Sequence, residues 1–107
     1  MSLDDKVVAM PGFVTGRFTS ASSAADVTET IGFTPTIIIA WIDTSGTSPN
    51  MLVKVASETD ETMLTTGTTG VITTPADSSG ITVSGNTFTI ESGAQVNDGL
   101  NTWIAFR

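Results

Sequence analysis

Short runs in which apolar and polar residues alternate, separated by turns rich in glycine and proline, extend along the whole chain. This pattern predicts ten β-strands, at residues 7–10, 13–19, 26–31, 36–43, 51–56, 62–65, 71–74, 81–83, 87–90 and 102–106. The best candidate for helical spacing, residues 20–30, is rich in Ser and Thr, and its first part is interpreted as a loop over residues 20–25. The pattern therefore predicts an all-β fold, either an antiparallel β-sandwich or a small jelly-roll-like barrel.

The strand at residues 36–43 is the most apolar segment, reading Thr-Ile-Ile-Ile-Ala-Trp-Ile-Asp. Such a run predicts a strand buried on both faces, or one buried by its own sheet on one face and by a neighbouring subunit on the other. Trp41 lies within this run, and we expect its indole in the core or in a subunit interface rather than against a ligand. Residues 51–56 are predicted to pair with this strand as a hairpin.

The last strand is apolar on both sides. Trp103 and Ala105 point one way, while Ile104 and Phe106 point the other, because side chains alternate along a strand. This pattern predicts a central position in a sheet or burial against a partner. In the preceding strand, Phe88 and Ile90 lie on one apolar face and alternate with Thr87 and Thr89 on the other. A tight turn is predicted just before this strand, at residues 84–86.

Composition limits the class of partner. The 107 residues are predicted to form one domain, residues 1–107, with residues 1–11 as a flexible N-terminal segment. The net charge is −7, and the four basic residues are scattered singly, at Lys6, Arg17, Lys54 and Arg107. Nucleic acids and anionic membranes bind clustered basic residues, so we expect neither as a partner. The acidity indicates either simple solubility or complementarity to a basic surface.

The chain has no His and no Cys. The common Ser-His-Asp and Cys-His catalytic systems therefore cannot form, and zinc loses its main protein ligands. A Ser–Lys dyad using Lys6 or Lys54 lacks a recognised spacing. We expect no catalytic residue, no cofactor and no disulfide.

Two groups of oxygen-bearing side chains have alternative interpretations. Glu58, Asp60 and Glu61 would suit a glycosidase pair, but their polar setting favours an exposed loop. Asn97-Asp98-Gly99 would supply calcium ligands, but Asp-Gly is first a turn signal. We favour the loop and the turn, and expect no metal site.

No apolar leader precedes the first strand, so no signal peptide is expected and the protein is expected to be made in the cytoplasm. The longest apolar run, residues 37–42, is too short to span a membrane.

Three segments in order resemble small virion proteins of tailed phages. They are Ile31-Gly32-Phe33-Thr34-Pro35-Thr36-Ile37-Ile38-Ile39, the pair Ile81-Thr82-Val83 and Phe88-Thr89-Ile90, and Val96-Asn97 followed by Asn101-Thr102-Trp103-Ile104-Ala105-Phe106. The resemblance covers residues 31–107. It implies a β-sandwich with a structural role in the virion and no catalytic residues.

Within that class, the resemblance implies a capsid decoration (cement) protein, a homotrimer bound to the major capsid protein on the outer capsid surface. A tail or fibre module that recognises a host glycan or protein is the alternative. A non-viral carbohydrate-binding domain is a third interpretation, although the chain has few aromatic residues for it.

Partner-facing residues are expected in two segments and at two tryptophans. The N-terminal segment would add a strand to a partner through Val7, Val8 and Met10. The candidates elsewhere are Glu58, Asp60 and Glu61 in the acidic loop, together with Trp41 and Trp103.

Overall fold

A computed structural model describes residues 8–10, 12–42, 50–55, 63–65, 72–73 and 79–107. The strands are β1 (Val8–Met10), β2 (Phe13–Thr19), β3 (Val27–Thr30), β4 (Ile37–Ile42), β5 (Asn50–Val55), β6 (Met63–Thr65), β7 (Ile72–Thr73), β8 (Ile81–Ser84), β9 (Thr87–Ile90) and β10 (Leu100–Phe106). Each predicted strand is present, with bounds that agree within two residues. Among these described residues, no helix is long and apolar enough to span a membrane.

Two antiparallel sheets pack together and confirm the predicted β-sandwich. The large sheet has seven strands in the order β1-β2-β10-β4-β5-β6-β7, and the small sheet has the order β3-β9-β8. The last strand, β10, lies between β2 and β4, so its predicted central position is confirmed. The predicted β4–β5 hairpin pairing is also confirmed.

The β8–β9 hairpin has the tight turn expected from its sequence. Ser84 pairs with Thr87, which leaves Gly85 and Asn86 as a two-residue loop. Gly85 has a φ of +58°, which glycine adopts without the strain that a Cβ would introduce. The Thr87 hydroxyl donates to the Ser84 carbonyl at 2.8 Å and closes the turn.

The core lies between the inner face of the large sheet and the small sheet. Its centre is Trp103, which is fully buried and meets the ring of Phe88 edge-on, with centroids 4.9 Å apart. Gly16 lies opposite Trp103 on the neighbouring strand β2. A Cβ at Gly16 would be 2.5 Å from Trp103 Cζ2, so the indole occupies the space that glycine leaves free.

A chain of polar side chains joins the two sheets at one end. Asn101 is fully buried on β10, and its Nδ2 donates to Ser20 Oγ at 2.8 Å. The Ser20 hydroxyl donates in turn to Gln95 Oε1 at 2.7 Å. Gln95 Nε2 then donates to the carbonyls of Ile90 in the small sheet, at 3.0 Å, and Ala25, at 2.8 Å. Each bond satisfies a group that would otherwise be costly to shield from water.

We predict that Gly16→Ala lowers the free energy of unfolding by about 1–3 kcal/mol, because the new Cβ overlaps the Trp103 indole. In a Trp103→Phe background the same substitution should cost less, since the contacted indole atoms are gone. Trp103 Nε1 has no hydrogen-bond partner within the described residues, so its removal breaks no such bond there. Urea unfolding of the four proteins measures the coupling, with Thr19→Ala as an exposed control on β2. Additive costs would contradict the proposed overlap.

We also predict that Gln95→Ala lowers the free energy of unfolding by about 1–3 kcal/mol, because two carbonyls and the Ser20 hydroxyl lose their partner. Thr82→Ala, at an exposed position of β8, should change it by less than about 0.5 kcal/mol. Thermal unfolding compares the two variants. Equal losses would mean that the Gln95 bonds contribute nothing specific.

Candidate interaction surface

The face of the large sheet that points away from the small sheet is mostly apolar on β10, β4 and β5, while β2 adds Phe13 together with the polar Thr15, Arg17 and Thr19. We call this the outer face. Its apolar side chains, from β2 to β5, are Phe13, Leu100, Ile104, Phe106, Ile37, Ile39, Trp41, Met51, Val53 and Val55. The register places them in rows: Ile104, Ile39 and Val53 are directly opposite one another on adjacent strands. Cross-strand neighbours of this kind form a continuous surface.

Burial along β4 differs between its two faces, and Ile39 on the outer side is only partly buried. Ile38, Ala40 and Ile42 point inward and have no accessible surface. On the other side Ile37 is 37% exposed and Trp41 is 42% exposed. Burial of this strand on both faces by its own chain was therefore a wrong alternative, and so was a core position for Trp41. Burial of the second face by a neighbouring subunit stays a prediction.

The outer face is comparable in size to the largest surface patches of monomeric domains. Four strands spaced about 4.8 Å apart span roughly 19 Å, and the six residues of β4 extend about 20 Å. The projected area is therefore roughly 400 Å², within the range of the largest apolar patches on monomers, which are often functional. Leu100, 38% exposed, extends the surface at the far end of β10.

Charge is almost excluded from this surface. Arg17 on β2 is the one charged side chain among the described residues of the four strands that points outward. The described acidic residues lie elsewhere, on the small sheet or in its connecting loops: Asp26, Glu29, Glu91 and Asp98. A partner surface for the outer face therefore needs to be apolar and shaped to a sheet, rather than charged.

The N-terminal segment supplies a second candidate surface. Its described part, β1, pairs with β2, with Val8 opposite Thr15 and Met10 opposite Phe13. In the sheet order β1 is an edge strand, so its second edge has no partner strand within the described residues. Backbone groups on such an edge are available for an incoming strand. Val7 and the rest of residues 1–7 lie outside the described residues.

The other predicted interface residues have different outcomes. Trp103 has no accessible surface, because the small sheet and Gly16 enclose it, so it belongs to the core of this chain rather than to an interface. Glu58, Asp60 and Glu61 lie outside the described residues. Of the eight predicted positions, Trp41 is thus the one whose described side chain is open to a partner.

Candidate chemistry in the described residues is accounted for by structure. Asn97 Oδ1 accepts a bond from the Ala24 amide at 2.9 Å, and Asp98 has a φ of +61°, so the turn interpretation of this segment is confirmed. Lys54 points inward and is 8% exposed. Among the described residues, no three His, Cys, Asp or Glu side chains form a group that would hold a metal ion.

Comparison with protein-family models, with curated proteins and with solved structures finds no match to this chain.

The one-sided burial of β4 predicts opposite outcomes at two adjacent residues. Ile38→Ser should lower the free energy of unfolding by about 3–5 kcal/mol, because it creates a cavity and buries a hydroxyl. Ile39→Ser, on the outer face, should cost only about 1–2 kcal/mol when the protein is dilute, because the partly buried Ile39 side chain loses fewer contacts than Ile38. Urea unfolding at low protein concentration separates the two. A large loss for both variants would mean that the outer face is covered within one chain.

Proposed function

We propose that this protein is a non-catalytic structural protein of a tailed-phage virion, a capsid decoration protein that binds and stabilises the outer capsid surface. The observation that carries the proposal is that the described residues leave two surfaces for assembly, the outer face and the edge of β1. The outer face, a mostly apolar sheet surface of roughly 400 Å² on which Ile37, Trp41 and Leu100 are exposed, has the size of surface patches that often bind other proteins.

Energetics favour the same conclusion. The chain has no Cys, so no disulfide stabilises its core. A domain of this size has a modest core of its own. Binding to the folded state adds stability by mass action, which benefits a protein that must persist on a particle.

The capsid-binding element that we favour is the N-terminal segment. Strand addition to an open edge supplies backbone hydrogen bonds without requiring catalytic or charged groups. The β1 edge offers such a site within its own sheet. The resemblance of residues 31–107 to phage virion proteins supports this role over a cellular one.

The test is fractionation of phage particles that carry the protein. We expect it to copurify with heads at high copy number, and we expect heads that lack it to lose DNA at lower temperature. Recovery only on purified tails would overturn decoration and favour the receptor-binding alternative. Binding of the isolated protein to host cells or surface glycans would point the same way.

Proline substitutions at β1 sharpen the test. Along an antiparallel edge, alternate residues bond to the neighbouring strand while those between them face the open side. Of Val8→Pro and Ala9→Pro, one should therefore remove a β1–β2 bond and the other an amide facing the open edge. We expect the variant whose lost amide faces the open edge to keep the wild-type melting temperature while losing head binding. Full head binding by both variants would exclude the β1 edge as the capsid contact.

A further inference from the structure

We infer that the outer face is covered by the same face of a second copy of this chain, so that two large sheets stack face to face. This inference rests on the proposed function in one respect: it assumes that the protein works by assembly. It names the surface and the partner for that assembly. In the pair, the sheets of two copies form the two layers of a new apolar interior.

The area of the face fits a specific pair. Each copy would cover about 400 Å² of projected sheet. Two such faces give about 800 Å², and the relief of the side chains raises the buried area toward roughly 1,000 Å², the lower limit for a specific interface. The contact is isologous, since the same patch is used on both copies, and it therefore closes after two.

The position of the apolar strands within the sheet favours a pair over a three-fold ring. β2, β10, β4 and β5 are the central strands, with β1 beyond one side and β6 and β7 beyond the other. In a trimer, the three outer faces would turn toward a common three-fold axis and enclose a triangular prism. The flanking strands would then extend past the corners and cross one another. Two stacked sheets have no such conflict.

Charge is compatible with self-pairing despite a net charge of −7 per chain. The described acidic residues lie on the small sheet and its loops, at the outside of a stacked pair. No described acidic side chain would therefore be brought into the interface. The apolar rows centred on Ile39 and Ile104 would meet an equally apolar surface. Arg17, on β2 at one side of the four-strand face, is the one described charge on it, and its long side chain can keep the guanidinium in solvent at the rim.

The first experiment is the mass of the full chain in solution. Sedimentation should give twice the 11.1 kDa monomer for the wild-type protein. Ile39→Lys should weaken the pair by at least on the order of 100-fold, since it buries one unpaired ammonium group per copy. Thr82→Lys, an exposed control on the small sheet, should leave the pair intact. A circular dichroism spectrum checks that both variants fold.

The second experiment does not depend on a charged variant. Because the chain has no Cys, a single introduced cysteine reports one position. Ile104→Cys lies at the centre of the outer face, where two stacked sheets about 10 Å apart are within reach of a short bismaleimide. We expect a crosslinked pair from Ile104→Cys and none from Thr82→Cys.

The outcomes separate this inference from the proposed function. A monomer, a three-chain mass, or a pair that survives Ile39→Lys would each overturn the stacked pair. The three-chain mass would favour the trimer that the resemblance implies. Head binding by a protein that stays monomeric would overturn the pair but support decoration. A pair that never binds heads would do the reverse.

Discussion

The contact between Trp103 and Gly16 holds the sandwich together. Trp103 is the largest fully buried side chain, and it lies on the central strand of the large sheet while meeting Phe88 of the small sheet. It fits only because β2 has no side chain at the facing position. The burial of Trp103 against β2 and its contact with Phe88 both depend on this one large-against-small pairing.

Away from that contact, one end of the sandwich and the two faces of the large sheet differ in their interactions. One end is fixed by the polar chain from Asn101 through Ser20 to Gln95, in which side chains bond groups of both sheets. The inner face is close-packed and apolar. The outer face is mostly apolar and leaves Ile37, Trp41 and Leu100 exposed, and the described acidic side chains lie away from it. In the assembly that we propose, stability and partner binding thus use opposite sides of the same sheet.

Strand positions and the sandwich were predictable because an alternating pattern has one period and glycine turns separate its repeats. Which of the two tryptophans is buried could not be predicted, because Trp41 and Trp103 both occur in strands that are apolar on both faces. Only the pairing partners distinguish them: Trp103 faces Gly16 and the small sheet, whereas Trp41 faces outward beside Met51. The role of Gln95 could not be predicted from the sequence either, because its partners Ser20 and Ala25 are 70 or more positions away.

The place of β10 in the sheet also has a consequence for synthesis. It is the last of the ten strands in the sequence, yet β2 and β4 pair through it, and the Thr15 hydroxyl bonds the Trp103 carbonyl across 88 positions. Such non-local pairing makes folding slow. Until β10 emerges from the ribosome, both neighbouring strands have an unpaired edge and the core lacks its central indole. The nascent chain is therefore open to misassociation until β10 has been made.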